Sequence, residues 1–240
     1  MLGRWAQFLE GDVRGGGAAL QRAADLFEDS GDLVRVVTPR STAGHALVFA
    51  GLAEQGLVHV TSALELARTL GHPEGQAYSL WHLAEALAAL GRGEEAAAEA
   101  AEALAMATRI GHRGWTATAW RAVGLAVQQR GELDEALQAF SNSLDVSEHL
   151  GLFACWAAAR SAMVLVARGA PEVAVPLVER ALGEGPPLGD YEARWAQVEV
   201  AAALGDDSAP ALARDAFARM QAGGVRQGRE RLLALAERSC

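Results

Sequence analysis

An all-α solenoid of stacked antiparallel helix pairs is the fold class that this 240-residue sequence predicts, and three observations carry the prediction. Gly31, Gly71, Gly111 and Gly151 recur every 40 residues, and Gly11, Gly51, Gly91 and Gly131 repeat the same interval half a unit away. A period of about 20–50 residues is the mark of a repeat architecture, and glycine is favoured just past a helix end because it tolerates the left-handed conformation there. The segments between are rich in Ala, Leu, Glu, Gln and Arg, all strong helix formers. Their apolar residues fall at i, i+3, i+4 and i+7, the spacing of one helix face. Each unit therefore holds two helices of about 17 residues, about 25 Å long at 1.5 Å per residue. One such pair cannot bury its own apolar face, so the pairs must stack, giving about five to six repeats.

The elements follow in order. Ten residues precede Gly11, too few for a full first helix, so 1–31 reads as a partial repeat and the chain as a piece excised from something longer. "GDVRGGGAAL" reads as a flexible helix entry, since no strand precedes it that could make it a dinucleotide-binding loop. Three regular units cover 32–71, 72–111 and 112–151. In the first, Pro39 within "VTPRST" leaves the start of the Thr38 to Phe49 helix undefined. The second places Leu80, Leu83, Ala84 and Leu87 on one helix face and Ala96, Ala100 and Ala103 on the next. The third does so with Trp120, Val123, Gly124 and Val127, then Leu133, Ala136, Leu137, Phe140 and Leu144. Gly44, Ala84 and Gly124 are small residues at matching positions, where helix backbones can approach closely. The unit 152–183 is shortened by two residues at Gly169. There Pro171 suits a first helical turn, and Pro176 predicts a kink. After the linker "GEGPPLGD" comes a divergent pair over 189–223, and 225–240 forms a cap, charged on one side and apolar on the other.

The set Trp120, Val123, Gly124, Val127, Gly131, Ala136 and Phe140 resembles the tetratricopeptide repeat. That family's usual unit is 34 residues, and its closing proline is replaced here by Gly-His or Gly-Leu. The longer unit is similar to the arms of bacterial LuxR-type large ATP-binding transcription regulators. The resemblance implies a right-handed superhelix that binds along the concave groove made by the first helix of each pair. Carried onto this sequence, it places Phe49, Tyr78, Trp81, His82, Glu85, Arg121, Gln128, Trp156 and Arg160 on that groove, with Thr38, His45 and Met163 beside them. Trp81 and Trp156 lie one position off the repeat frame, so they should border the concave surface while Trp120 and Phe140 fill the core. Trp, Tyr and Arg dominate binding hot spots.

Chemistry beyond binding finds little support. The formal charge of −9 argues against a nucleic-acid surface, which needs clustered positive charge. All 21 basic residues are Arg, and with no Lys a phosphate-binding loop ending in Gly-Lys-Ser/Thr cannot form. The same bias, with a single Ile and a single Asn, points to a GC-rich bacterial source. The six histidines, His45, His59, His72, His82, His112 and His149, make no metal-ligand spacing. His72 and His112, at equivalent repeat positions, read as turn residues. Cys155 reads as a small buried hydrophobe, and Cys240 as a terminal residue outside any disulfide framework. The glutamates of "GRGEEAAAEAAEAL" suit a helix start and a solvated face. "MLGRWAQFLEGD" lacks a signal-peptide pattern, and no apolar run could span a membrane.

The expected role is a non-catalytic interaction module without a cofactor or metal. It is read as a cytoplasmic regulatory arm that senses a protein, a peptide or a small effector in its groove. The alternative is a stand-alone scaffold or homodimer assembled through the terminal repeats.

Overall fold

The computed structural model describes residues 2–183 and 185–237, with side chains from residue 6 onward. Cys240 and the end of the expected cap lie outside the described residues. Thirteen α-helices run through the described residues: α1 (Leu2–Leu9), α2 (Val13–Asp29), α3 (Leu33–Phe49), α4 (Ala53–Thr69), α5 (Pro73–Ala89), α6 (Gly93–Ile110), α7 (Arg113–Gln129), α8 (Leu133–Val146), α9 (Gly151–Ala167), α10 (Pro171–Gly183), α11 (Pro187–Leu204), α12 (Ala209–Gly223) and α13 (Arg229–Ala236). Helices α3, α5, α7, α9 and α11 form an inner layer, and the even-numbered helices α2 to α12 pack outside it.

The glycine period has the cause the sequence suggested. Gly11, Gly31, Gly51, Gly71, Gly91, Gly111 and Gly131 all have φ between +61° and +89°, so each turn uses the left-handed conformation. Gly151 departs from the series. It opens α9 instead of closing α8, and the left-handed residue there is His149, at φ +69°. Gly151 is small for another reason: a Cβ on it would sit 3.3 Å from the Cα of Gly185. His72 and His112 are N-caps. Their Nδ1 atoms accept from the backbone N–H of Gly75 at 2.8 Å and of Trp115 at 3.1 Å, satisfying helix-terminal donors that would otherwise lack partners.

Three local expectations change. Helix α3 runs unbroken from Leu33, capped by Asp32, with Pro39 inside it. The Gly15 to Gly17 run is not a helix entry but lies within α2. There a Cβ on Gly16 would meet the backbone of Phe8 at 2.8 Å, and one on Gly17 the Cβ of Ala46 at 2.7 Å. Trp120 is only half-buried, whereas Phe140 is fully buried. The tight face of α7 is its small-residue face, Ala119, Ala122 and Ala126, packed with Ala96, Ala100 and Ala103 of α6. Trp120 is left on the flank.

The superhelix closes on itself. Phe8, Val13, Leu20, Ala43, Ala46 and Phe49 from the first helices share one apolar core with Leu188, Tyr191, Met220, Val225, Leu232 and Leu235 from the last. The Tyr191 hydroxyl donates to the Gly11 carbonyl at 2.5 Å, and the Arg226 N–H donates to the Phe49 carbonyl at 2.8 Å. The apolar side of α13 therefore packs on its own chain, while Arg231 on its outer side pairs with Glu199.

Candidate functional site

Ring closure turns the expected open groove into a narrowed interior with half-open cavities. Trp81 is 4% exposed, so it does not stand on an open concave surface; it packs against His45, Tyr78 and His82 and lines an aromatic cavity. All nine residues expected on the groove nevertheless converge here. Phe49 and Trp156 stack with centroids 6.0 Å apart, and Tyr78, Trp81 and His82 form contiguous ring contacts. Glu85, Arg121 and Arg160 meet in an ion network, and Gln128 lines a cavity beside it. Of the flanking three, His45 is central. Thr38 is exposed on α3, and Met163 packs at the edge of the α9–α11 core.

The network threads all five inner helices. His45 Nε2 on α3 bonds Glu85 Oε2 on α5 at 2.8 Å. Arg121 on α7 donates to Glu85 Oε1 and, at 2.7 Å, to Glu192 Oε1 on α11. Arg160 on α9 donates to the same Glu192 oxygen at 2.5 Å. Arg121 also lies 4.9 Å from the centre of the Trp156 ring, and Arg160 5.4 Å from that of Trp195. Two carboxylates face two guanidiniums, so formal charge cancels in a place where an isolated charge would be costly.

The electrostatics follow from these pairings. Burial pushes the Glu85 carboxyl up, but Arg121 and His45 outweigh it and bring its pKa down to about 2. Burial likewise opposes ionisation of Glu192, and Arg121 with Arg160 reverses the balance, so it too is held below the usual carboxylate range. His82 has no acid beside it. Burial first, then the neighbouring His45, drives its pKa well below the ordinary imidazole value, and its Nδ1 sits 2.8 Å from the Ser41 hydroxyl.

Two cavities flank the network. A polar one of about 440 Å³ is lined by His45, Phe49, Glu85, Gln128, Arg160 and Trp195. An aromatic one of about 320 Å³ lies against Tyr78, Trp81, Trp115, Phe153 and Trp156. A third, on the α2–α4 side near Arg14, His59 and Arg226, contains none of the nine. Several buried polar atoms in the interior have no hydrogen-bond partner: the indole nitrogens of Trp81 and Trp156, Arg121 Nε and Glu192 Oε2.

Sequence reasoning missed Glu192, Trp195, Thr42, Trp115 and Phe153. Glu192 and Trp195 lie in the divergent unit, where the 40-residue frame no longer assigns an inner face. A buried glutamate among the apolar residues of "YEARWAQVEV" was the available signal. Cys155 is buried and donates to the Ala181 carbonyl at 3.2 Å. Among the described residues, no group of three or more His, Cys, Asp or Glu could hold a metal ion, and no helix is long and apolar enough to cross a membrane.

Comparison with known proteins agrees with the architecture. No protein of curated function matches the sequence. Among solved structures, a Rap protein complexed with the competence and sporulation factor is 15% identical, with a TM-score of 0.75 over 98% of this chain and 73% of that one. BtubC from P. vanneervenii is 17% identical, with a TM-score of 0.59 over 93% and 92% of the two chains. The Rap conjugation gene regulator of plasmid pLS20, in complex with the Phr* peptide, is 16% identical, with a TM-score of 0.55 over 94% and 73%. The family model described as tetratricopeptide repeat matches residues 75–149, the stretch that holds α5 to α8, and the chain is thus a TPR-like helical-repeat protein.

Proposed function

We propose that this chain is a non-catalytic sensing module, the cytoplasmic regulatory arm of a bacterial signalling or transcriptional regulator, and that its ligand enters the interior of the ring. One observation carries the reading. Residues from five inner helices converge on an interior that holds two half-open cavities and unpaired buried donors, and a purely structural core would be filled and satisfied. The two Rap proteins above were solved with a factor and a peptide bound. Their shared fold makes a peptide, a protein segment or a small effector the partners to test. An interior closed by a seam suits a sensor, because a ligand that fits only one ring geometry shifts the population toward it.

The scaffold reading is weaker as a homodimer than it was from sequence, because the apolar side of α13 is already covered within the chain.

Native mass spectra of the purified chain, recorded at rising desolvation energy, test the proposal together with amide exchange. A retained molecule or added partner should protect α3, α5 and α7, and Gln128→Ala should weaken its retention. Protection confined to the outer helices α4, α6 and α8 would refute the interior site and favour a scaffold.

A further inference from the structure

The first and last helices meet around a cavity whose charge runs against that of the chain. The sequence holds 30 acidic and 21 basic residues, yet no Asp or Glu lines this cavity of about 390 Å³. Arg14 of α2, His59 of α4 and Arg226 of the α12–α13 connection do. An adjoining pocket of about 120 Å³ shares Arg14 and Arg226 and adds Arg229, again without an acid. The acids of the seam, Glu10, Asp12 and Asp190, line a separate cavity with Arg219. A concave site lined by one sign of charge concentrates ions of the other.

The arginines are placed but not neutralised. Gly224 lets Arg14 lie across the end of α12: a Cβ there would come within 3.0 Å of the Arg14 Cβ and 3.5 Å of its Nε. Gly51 does the same for Arg226, whose Cβ would be 3.0 Å away, and the Arg226 N–H is anchored on the Phe49 carbonyl. Arg229 sits 4.9 Å from the centre of the Phe217 ring. Nearby, Arg219 pairs with Asp215, but among the described residues none of these three guanidiniums meets a carboxylate. Burial and Arg40 lower the His59 pKa below its ordinary value against the pull of Asp25, so the positive charge is that of the arginines.

The rest of the larger cavity decides what the anion carries. Ala43, Ala46 and Leu47 of α3, with Leu52 beyond it, give an apolar floor that a bare inorganic ion would leave wet. Guanidiniums bind phosphate oxygens through paired N–H donors, and a phosphate monoester bears a charge of about −2 at pH 7, matching Arg14 and Arg226. We propose that the seam cavity binds a small organic phosphate, with its apolar body against α3 and its phosphate between Arg14 and Arg226. Because these arginines come from opposite ends of the chain, the bound molecule bridges the seam and holds the ring closed. This site is separate from the interior and does not depend on a ligand there.

Isothermal titration of the full chain with 2-naphthyl phosphate, 2-naphthol and inorganic phosphate at low salt separates the parts of the site. The monoester should bind about tenfold or more tightly than either fragment, the worth of one charge-assisted hydrogen bond. Added salt should weaken it. Arg226→Gln should lose about tenfold in affinity, and Arg14→Gln likewise. Arg109→Gln, at an exposed arginine of α6 away from the seam, should change nothing. Amide exchange in the unaltered chain locates the probe even if a variant misfolds: protection should appear in α2 and around Gly224 to Arg226 together. Equal affinity for naphthol or inorganic phosphate, an equal loss in Arg109→Gln, or no binding of the monoester would overturn the proposal. Protection of α5, α7 and α9 without α2 would overturn it too, while supporting the interior as a ligand site.

Discussion

At the scale of single residues, Arg121 has the most depending on it. It is 2% exposed and pairs with both Glu85 and Glu192, which are buried beside it. Removing one partner of a buried ion pair costs about 3–5 kcal/mol, because the remaining charge stays buried. Arg121→Met should therefore lower the unfolding free energy by about 3 kcal/mol or more in urea titrations, and adding Glu85→Gln should recover part of the loss. Strict additivity of the two changes would show that the pair is not coupled. The same network sets acid sensitivity. Glu85 falls from an ordinary 4.5 to about 2 in the folded chain, so its stabilisation is complete above about pH 4.5 and disappears as pH falls toward 2. His82 acts at milder pH. Its folded pKa lies well below 6.5, so the unfolded chain binds the extra proton first and stability should decline as pH drops through 6.5. Urea midpoints between pH 8 and 5 should show a steeper decline for the parent chain than for His82→Gln. His45 across the stack and the Tyr78 hydroxyl are the titratable groups against that ring, and both are retained in the variant. These residues were legible in the sequence because Trp81, His82, Glu85, Arg121, Trp156 and Arg160 interrupt the apolar repeat at related inner positions. Their pairing was not legible, since Arg121 and Glu192 are 71 residues apart and no local pattern relates them.

At the scale of elements, glycine has two separate uses that look alike in the sequence. Gly71 is a turn residue at φ +61° with open space around it, whereas Gly44 lies inside α3, where a Cβ would meet the Gly56 carbonyl oxygen at 2.8 Å and Val60 at 2.6 Å. Alanine is favoured over glycine in a helix interior by about 1 kcal/mol, so propensity alone predicts that Gly44→Ala stabilises. The contact predicts the opposite sign. Overpacking costs roughly 1–3 kcal/mol, and here a backbone carbonyl of α4 would have to move, so thermal unfolding should show a net loss for Gly44→Ala. Gly71→Ala should cost about 1 kcal/mol through its dihedral alone. Helix number, length and the 40-residue beat were readable because capping chemistry and apolar spacing are local. The change at Gly151 was not, because its smallness answers to Gly185 across the junction with the linker. Trp120 misled for a related reason: the repeat frame assigns a face, but the packing partner decides which part of that face takes a large ring. Between α6 and α7 the fully buried positions are taken largely by alanines, and Trp120 stays at the flank.

At the scale of the whole molecule, closure is the property that no repeat unit encodes. A linear solenoid has nearest-neighbour interfaces only and unfolds segment by segment. Here α1 to α3 share a core with α11 to α13, so the ends of the chain should rise and fall in stability together. Gly223 is the point at which to test this. A Cβ there would overlap both the Tyr191 hydroxyl and the Gly11 carbonyl, the pair that bridges the seam. Gly223→Leu should force the seam apart while leaving each helix pair its local contacts. Small-angle scattering should record a larger radius of gyration. Amide exchange should accelerate in α2, α3, α11 and α12 at once, with α5 to α8 much less affected. Acceleration in α12 alone would mean that the seam is an incidental contact and that the terminal units are stable separately. Joint acceleration would make the seam a coupling element. Because residues on both sides of the seam line the two cavities, opening it should also expose the ion network to water, and a ligand that needs the closed wall should lose affinity in proportion to the open population.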